Sequence, residues 1–429
     1  MPRRSDSVIR SACMVLVVSL TAAVHAGEAP PSADQMWALI QQQQVLIDGL
    51  SSRLAEAERI SARTAQHARV TEQRLDATAD YLESYLADST PGKPSATSFG
   101  GYGELHYNNL DADDSSRDVK EADFHRFVGF IGHDFTDSIR LFAEVELEHS
   151  LVKDTDDGSN SGEVELEQAY LEIDLSDNYY TRSGLFLVPV GILNITHEPD
   201  TFFGVERNDV ENVIIPGTWW EGGASLGARY SNGLAWDVAV HTGLAVPTTG
   251  SNAFRIRSGR QKVSKASAEN LAYTAQLRYT GIPGLELAGT FQYQDDMSQV
   301  SGDGLDEGQL VSLHAVYSHG PFALRALWAG WDLDGDAVQA AGADEQTGWY
   351  IEPSYRFNLT RHAFGIYSRY EDVEAARERD NFSQWELGLN YWPTEGVVFK
   401  FDLRDREHDS AAERGRDFTG FDLGVGYSF

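Results

Sequence analysis

Between Val190 and Thr218 the chain gathers His197, Glu198, Asp200, Glu206, Arg207 and Glu211 in one connecting segment, VGILNITHEPDTFFGVERNDVENVIIPGT. Such residues can hold a metal ion, move a proton, or set a local field that sorts ions. His197-Glu198 with Asp200 matches neither HExxH nor a comparable ligand spacing, so no metal site and no cofactor are expected. A hydrolase would need a Ser, a His and an orienting partner on one face; nothing in the order of residues brings such a set together, and no catalytic residue or enzyme activity is expected. A sorting field asks only that charges face a wet passage. Arg207, Glu206, Glu211, His197 and Glu198 are the candidates for its narrowest part.

The elements that would position these charges follow from composition and pattern. Arg3, Arg4 and Arg10, a short apolar run from Cys13 to Val24 and the small-x-small end Val24-His25-Ala26 read as an export signal over residues 1–26. The apolar run is too short for a spanning helix. Its removal takes away the single cysteine, and with it any disulfide or thiolate site, and moves the formal net charge from −32 to −34. So acidic a chain is not expected to bind nucleic acid. No later run of 18 apolar residues exists; the mature chain is either soluble or a membrane barrel, since only helices and closed barrels satisfy their backbones in lipid.

Two regions follow. From about Ala33 to Ala87 there is no proline and no glycine but Gly49, and a seven-residue register runs from Ile40 and Ile47 to Leu75 and Leu82. That predicts a helical segment over 27–88, read as a short parallel coiled coil because so narrow a stripe is not stable alone. STPGKPSATS then ends the helix, giving a linker over 89–97. From residue 98 to 429 the period becomes two, and about sixteen strand-like runs appear, each near the length that crosses a bilayer at a tilt. Every second connection is tight, from Thr136-Asp137-Ser138 to Pro393-Thr394-Glu395-Gly396, while those between are long and polar. Strict alternation of short and long connections predicts an all-β, up-and-down transmembrane barrel.

Facing agrees. Val397, Phe399, Phe401 and Leu403 alternate with Lys400, Asp402 and Arg404, and Trp349, Ile351, Tyr355 and Phe357 with Tyr350, Glu352, Ser354 and Arg356. Charges on the inner face imply water there, and about sixteen strands enclose a channel. Aromatics such as Trp349, Phe357, Tyr391, Trp392, Tyr427 and Phe429 are expected in girdles at the membrane interfaces. Arg229, Arg278, Arg325, Arg356, Arg369 and Arg404 take the inner face, as a ladder for anions or as ion pairs with Asp237, Glu286, Glu352, Glu386, Asp402 and Asp422. The apolar Phe202, Phe203, Val213, Ile214 and Ile215 predict that the third long loop folds inward, or else packs over the rim or a neighbouring subunit. In the fourth, Arg255, Arg257, Arg260, Lys262 and Lys265 carry no intervening acid; they would draw anions to the mouth, bind lipopolysaccharide phosphates, or stay solvated.

NITHEP, FFGVERNDVE and IIPGTWWEGG, with SFGGYGELHY at the first strand and GVGYSF at the last, resemble the outer-membrane porin family that includes the phosphate-selective porins O and P. The resemblance spans roughly residues 98–429. It implies a sixteen-stranded, homotrimeric channel in the outer membrane of a Gram-negative bacterium, with its helical segment in the periplasm. Small hydrophilic or anionic solutes, phosphate among them, would pass a constriction made by the third loop, and Phe429 would serve as an assembly signal. The competing expectation is an envelope-tethering protein whose barrel anchors the coiled coil.

Overall fold

The computed structural model describes residues 97–150, 162–359 and 361–429. The export signal, the helical segment and the linker up to residue 96 lie outside the described residues. From Thr97 the chain forms β1 (Thr97–Ala112), β2 (Val119–Thr136), β3 (Ile139–Glu148), β4 (Val164–Asp174), β5 (Tyr179–Leu187), β6 (Trp220–Arg229), β7 (Leu234–His241) and β8 (Ala272–Ile282). There follow β9 (Leu285–Gln294), β10 (Gly308–His319), β11 (Phe322–Leu333), β12 (Glu345–Leu359), β13 (His362–Glu374), β14 (Phe382–Thr394), β15 (Val397–His408) and β16 (Phe418–Ser428). Each strand pairs antiparallel with its sequence neighbours, and β1 pairs with β16, so the sheet is a closed barrel without an edge.

Local chemistry accounts for this order. Outward positions are large and apolar, as in Leu313, Phe399, Leu403 and Leu423, each more than 40% exposed. The alternating inward positions include Asp422, Asp402 and Glu352, each at most 3% exposed. Tight turns join the strands at one rim, and several use a glycine in the left-handed region that other residues avoid, as Gly284 at φ +81° and Gly396 at φ +72° do. Neighbouring rings of Tyr355, Phe357, Phe364, Tyr391 and Phe399, the last four stacked in sequence, form an outward aromatic band near this rim. Trp392 departs from the expected girdle. It shares the inward parity of Gly388 and Asn390, is 6% exposed, and packs edge-on against Phe203 of the third long loop.

The opposite rim carries the long connections. Three of them, residues 188–219, 242–271 and 295–307, turn into the barrel. With α1 (Asp336–Ala341), which lies between β11 and β12, they build an apolar core inside the wall. Val188, Val190, Val210, Ile214, Ile215 and Trp219 of the third loop meet Leu244, Val246 and Ile256 of the fourth, Met297 and Leu305 of the fifth, and Leu310, Trp331 and Leu333 of the wall. Full burial contributes roughly 1.5–3 kcal/mol for each such side chain, which holds these loops as a packed core.

Candidate functional site: the third loop inside the barrel

The third loop is tied down at both ends before it crosses the interior. Asn194 accepts from the Trp219 backbone N–H at 2.5 Å and donates to the Val188 carbonyl at 2.8 Å, clamping the loop's start to its end. Glu211, in the single helical turn Val210–Ile214, accepts from the N–H groups of Ile192 (2.5 Å) and Leu193 (2.7 Å), from Asn208 Nδ2 (3.2 Å) and from the Tyr350 hydroxyl (2.9 Å). Both its oxygens are spent and it is 1% exposed. Glu211 therefore does not line a constriction as expected from the sequence; it is the internal staple of the loop that would form one.

Small residues on the wall make the loop's seat. A Cβ at Gly426 would fall 2.5 Å from the Pro199 Cβ, one at Gly424 3.1 Å from Val205, one at Gly365 2.7 Å from Phe203, and one at Gly348 3.0 Å from Ile214. Polar wall residues then grip the loop backbone. Lys400 Nζ donates to the Gly204 carbonyl at 2.7 Å and lies over the Phe202 ring, Arg325 donates to the Thr201 carbonyl at 2.6 Å, Asn390 donates to the Phe203 carbonyl at 2.9 Å, and Arg406 pairs with Asp209. On β1, His106 Nδ1 lies 3.0 Å from Glu206 and Asn108 donates to the same carboxylate at 3.1 Å. Burial alone would raise the Glu206 carboxyl, but the facing His106 overrides it and holds it well below the usual carboxylate range.

His197 is 3% exposed, with its Nε2 3.4 Å from Glu144 on β3 and 3.7 Å from Glu167 on β4. Glu198 beside it is half-buried, and burial lifts its carboxyl above the usual carboxylate range. Arg207 donates to Thr218 Oγ1 at 2.7 Å and to the His197 carbonyl at 3.3 Å.

Two arginines of the fourth loop join Arg207. Arg257 donates to the Gly217 carbonyl, and Arg260 to the Thr218 carbonyl at 2.6 Å. Among the described residues no carboxylate makes an ion pair with Arg207, Arg257 or Arg260. Burial, and after it the charges of Arg260 and Arg207, push Arg257 down to about 9. Arg207, Arg257 and Arg260 thus form a basic cluster where loops three and four meet.

The other basic residues of the fourth loop are not a free patch. Arg255 pairs with Asp380 at 2.8 Å and Lys262 with Glu163 at 2.8 Å, while Lys265 is exposed. Four of the five thus brace the loop against the rest of the protein. The wall arginines divide similarly. Arg369 pairs with Glu352 (3.1 Å) and Glu386 (2.6 Å), Arg404 with Asp422 (3.1 Å) and Glu386 (3.6 Å), and Arg325 lies 3.9 Å from Glu352. Arg278 lies 4.0 Å from Glu286, Arg229 stacks on Tyr180 and Arg356 on Trp392. These are ion pairs and stacks, not a continuous ladder. Sequence reasoning passed over His106, Asn108, Lys400 and Arg406 as loop partners, although strand parity already put each on the inner face.

No protein-family model matches the chain. A relative from Aquifex aeolicus (strain VF5), described as an uncharacterized protein, is 29% identical over 344 residues, 71% of this chain and 74% of that one. Among solved structures, the chain is similar to the anion-selective porin from Comamonas acidovorans, with a TM-score of 0.55 and 12% identity over 78% of this chain and 100% of that one. It is also similar to the outer membrane channel DcaP of Acinetobacter baumannii (TM-score 0.51, 12% identity, 80% and 99% covered). Salmonella typhi OmpF in complex with daunomycin gives a TM-score of 0.50 at 12% identity, with 78% and 97% covered. At such identities the likeness is one of fold: the chain is a closed, sixteen-stranded antiparallel barrel of the porin type.

Proposed function

We propose that the protein is an outer-membrane porin, a water-filled channel for passive diffusion of small hydrophilic solutes, in which the third loop forms the constriction and anions, phosphate among them, are preferred. The observation that carries this reading is the group Arg207, Arg257 and Arg260: three guanidiniums inside the barrel, bound to backbone carbonyls and to Thr218, with no carboxylate pairing any of them among the described residues. A cation held without a counter-ion beside a wet passage attracts mobile anions. The resemblance to the phosphate-selective porins supports the same reading.

In this proposal residues 1–26 are the export signal, 27–88 a periplasmic coiled coil, 89–97 a linker and 98–429 the porin domain; three chains assemble side by side, with lipopolysaccharide around the long-loop rim. Planar-bilayer recording tests the function. The expected result is open channels whose reversal potential in a salt gradient has the sign of anion preference and shifts when phosphate is added. Strong cation preference removes the anion assignment and leaves the porin; a protein that passes no ions removes the porin. The seven-residue register favours a second reading, an envelope tether. Deletion of residues 27–90 separates the two, because a tether loses envelope attachment while a channel keeps its conductance.

A further inference from the structure

Asp123 and His125 on β2 and His149 just beyond β3 meet on the inner side of the barrel toward the long-loop rim, next to His106, which holds Glu206 of the third loop. One ligand atom from each lies within 4.8 Å of the others. His149 Nδ1 is 2.9 Å from both Asp123 carboxylate oxygens, and His125 Nδ1 is 3.1 Å from Oδ2. Ligands about 2.1 Å from a shared ion stand roughly 3–3.5 Å apart around it, so both separations fit one coordination sphere.

The backbone is arranged to bring these groups together. The β1–β2 register slips between Glu104 and His106, so that Glu104 faces Arg126 but His106 faces Asp123. This slip lets Asp123, His125 and Arg126 all reach the inner side, as bulges do when they re-aim a side chain. His149 follows the inward Glu144 and Glu146 at odd parity, and a regular strand would send it outward. Instead His149 at φ +55° and Ser150 at φ +51° take the left-handed region, disfavoured for residues with a Cβ, and the imidazole is carried back over Asp123. His106 stacks on His125 at 4.8 Å with planes 12° apart, and His106 is itself held by Glu104 and Glu206. The stack fixes the plane of the His125 ring.

We propose that Asp123, His125 and His149 bind a divalent transition-metal ion at the long-loop end of the lumen. Two imidazoles and one carboxylate, with no thiolate, suit Zn²⁺, Ni²⁺ or Cu²⁺ over Mg²⁺ or Ca²⁺, and three protein ligands leave positions open for water or a solute anion. The site goes beyond the channel reading and does not depend on conduction.

Folded, full-length protein in detergent, stripped with chelator, is titrated with Zn²⁺ by calorimetry, and Cu²⁺ is examined by electron paramagnetic resonance. The expected result is one saturable ion per chain, with affinity lowered about tenfold or more in both Asp123→Asn and His149→Ala, and unchanged in His319→Ala at the tight-turn rim. The Cu²⁺ spectrum should show two imidazole nitrogens, reduced to one in His149→Ala. His149 is exposed at the end of its strand, so its replacement leaves the barrel folded. Absence of saturable Zn²⁺ binding, or binding undiminished in both variants, overturns the site.

Discussion

Charge at single residues decides what the interior would prefer. Arg207, Arg257 and Arg260 are bound by backbone carbonyls, which hold the guanidiniums in place without cancelling their charge. A unit charge at ~4 Å in water is worth on the order of 1 kcal/mol to a mobile anion, about a fivefold local enrichment. Arg257→Gln is therefore expected to lower the anion-to-cation permeability ratio by about that factor, read as a shift of the reversal potential. An unchanged reversal potential in Arg257→Gln would show that Arg257 does not face the passage. Arg369 works differently, since it is 1% exposed between two carboxylates. Arg369→Ala removes the shortest ion pair of both Glu352 and Glu386, leaving the longer ones to Arg325 and Arg404, and should cost up to about 3–5 kcal/mol, measured by urea unfolding in lipid or detergent; a change below about 1 kcal/mol would mean that those remaining pairs and water relieve the acids.

At the scale of elements, the third loop and the last strand are fitted to each other. The inner face of β16 is made of Gly420, Asp422, Gly424, Gly426 and Ser428 because Val205 and Pro199 lie against it. Gly426→Val places new methyl groups where Pro199 sits and should cost about 1–3 kcal/mol as overpacking. The barrel wall stays paired, so the relief has to come from the loop. The expected readout is an altered single-channel conductance and new protease cleavage near Pro199 in a protein that still migrates as a folded barrel. Unchanged conductance and unchanged cleavage would mean that the loop does not rest on this seat.

For the whole molecule the decisive event is closure. The Phe429 N–H donates to the Gly101 carbonyl and the Gly101 N–H donates to that of Phe429, both at 2.9 Å, and the Phe429 ring packs against Phe127 at 6.2 Å on the outer face. The last residue thus completes the seam between the first strand and the last. Removing Phe429 should slow assembly and membrane insertion, seen as a larger fraction of unfolded, protease-sensitive protein after refolding into lipid. Unimpaired assembly would refute a role for the residue in closing the barrel.

Period-two alternation and turn residues are local signals, so the sequence by itself determined the sixteen strands, their tight turns, and the inward parity of Lys400, Asp402 and Arg404. Parity also carried information that residue type obscured: Trp392 shares the inward face of Asn390, yet its size suggested a membrane girdle. What only the tertiary structure decided was the partner of each inward group. Glu211 became a staple through its own loop and Tyr350, Arg257 was fixed on the Gly217 carbonyl of another loop, and the glycines of β16 acquired a purpose only when Pro199 and Val205 came to lie on them. Those contacts join residues up to two hundred and more positions apart, where hydrogen bonds and apolar burial are satisfied jointly, and no periodicity within a single segment encodes such a choice.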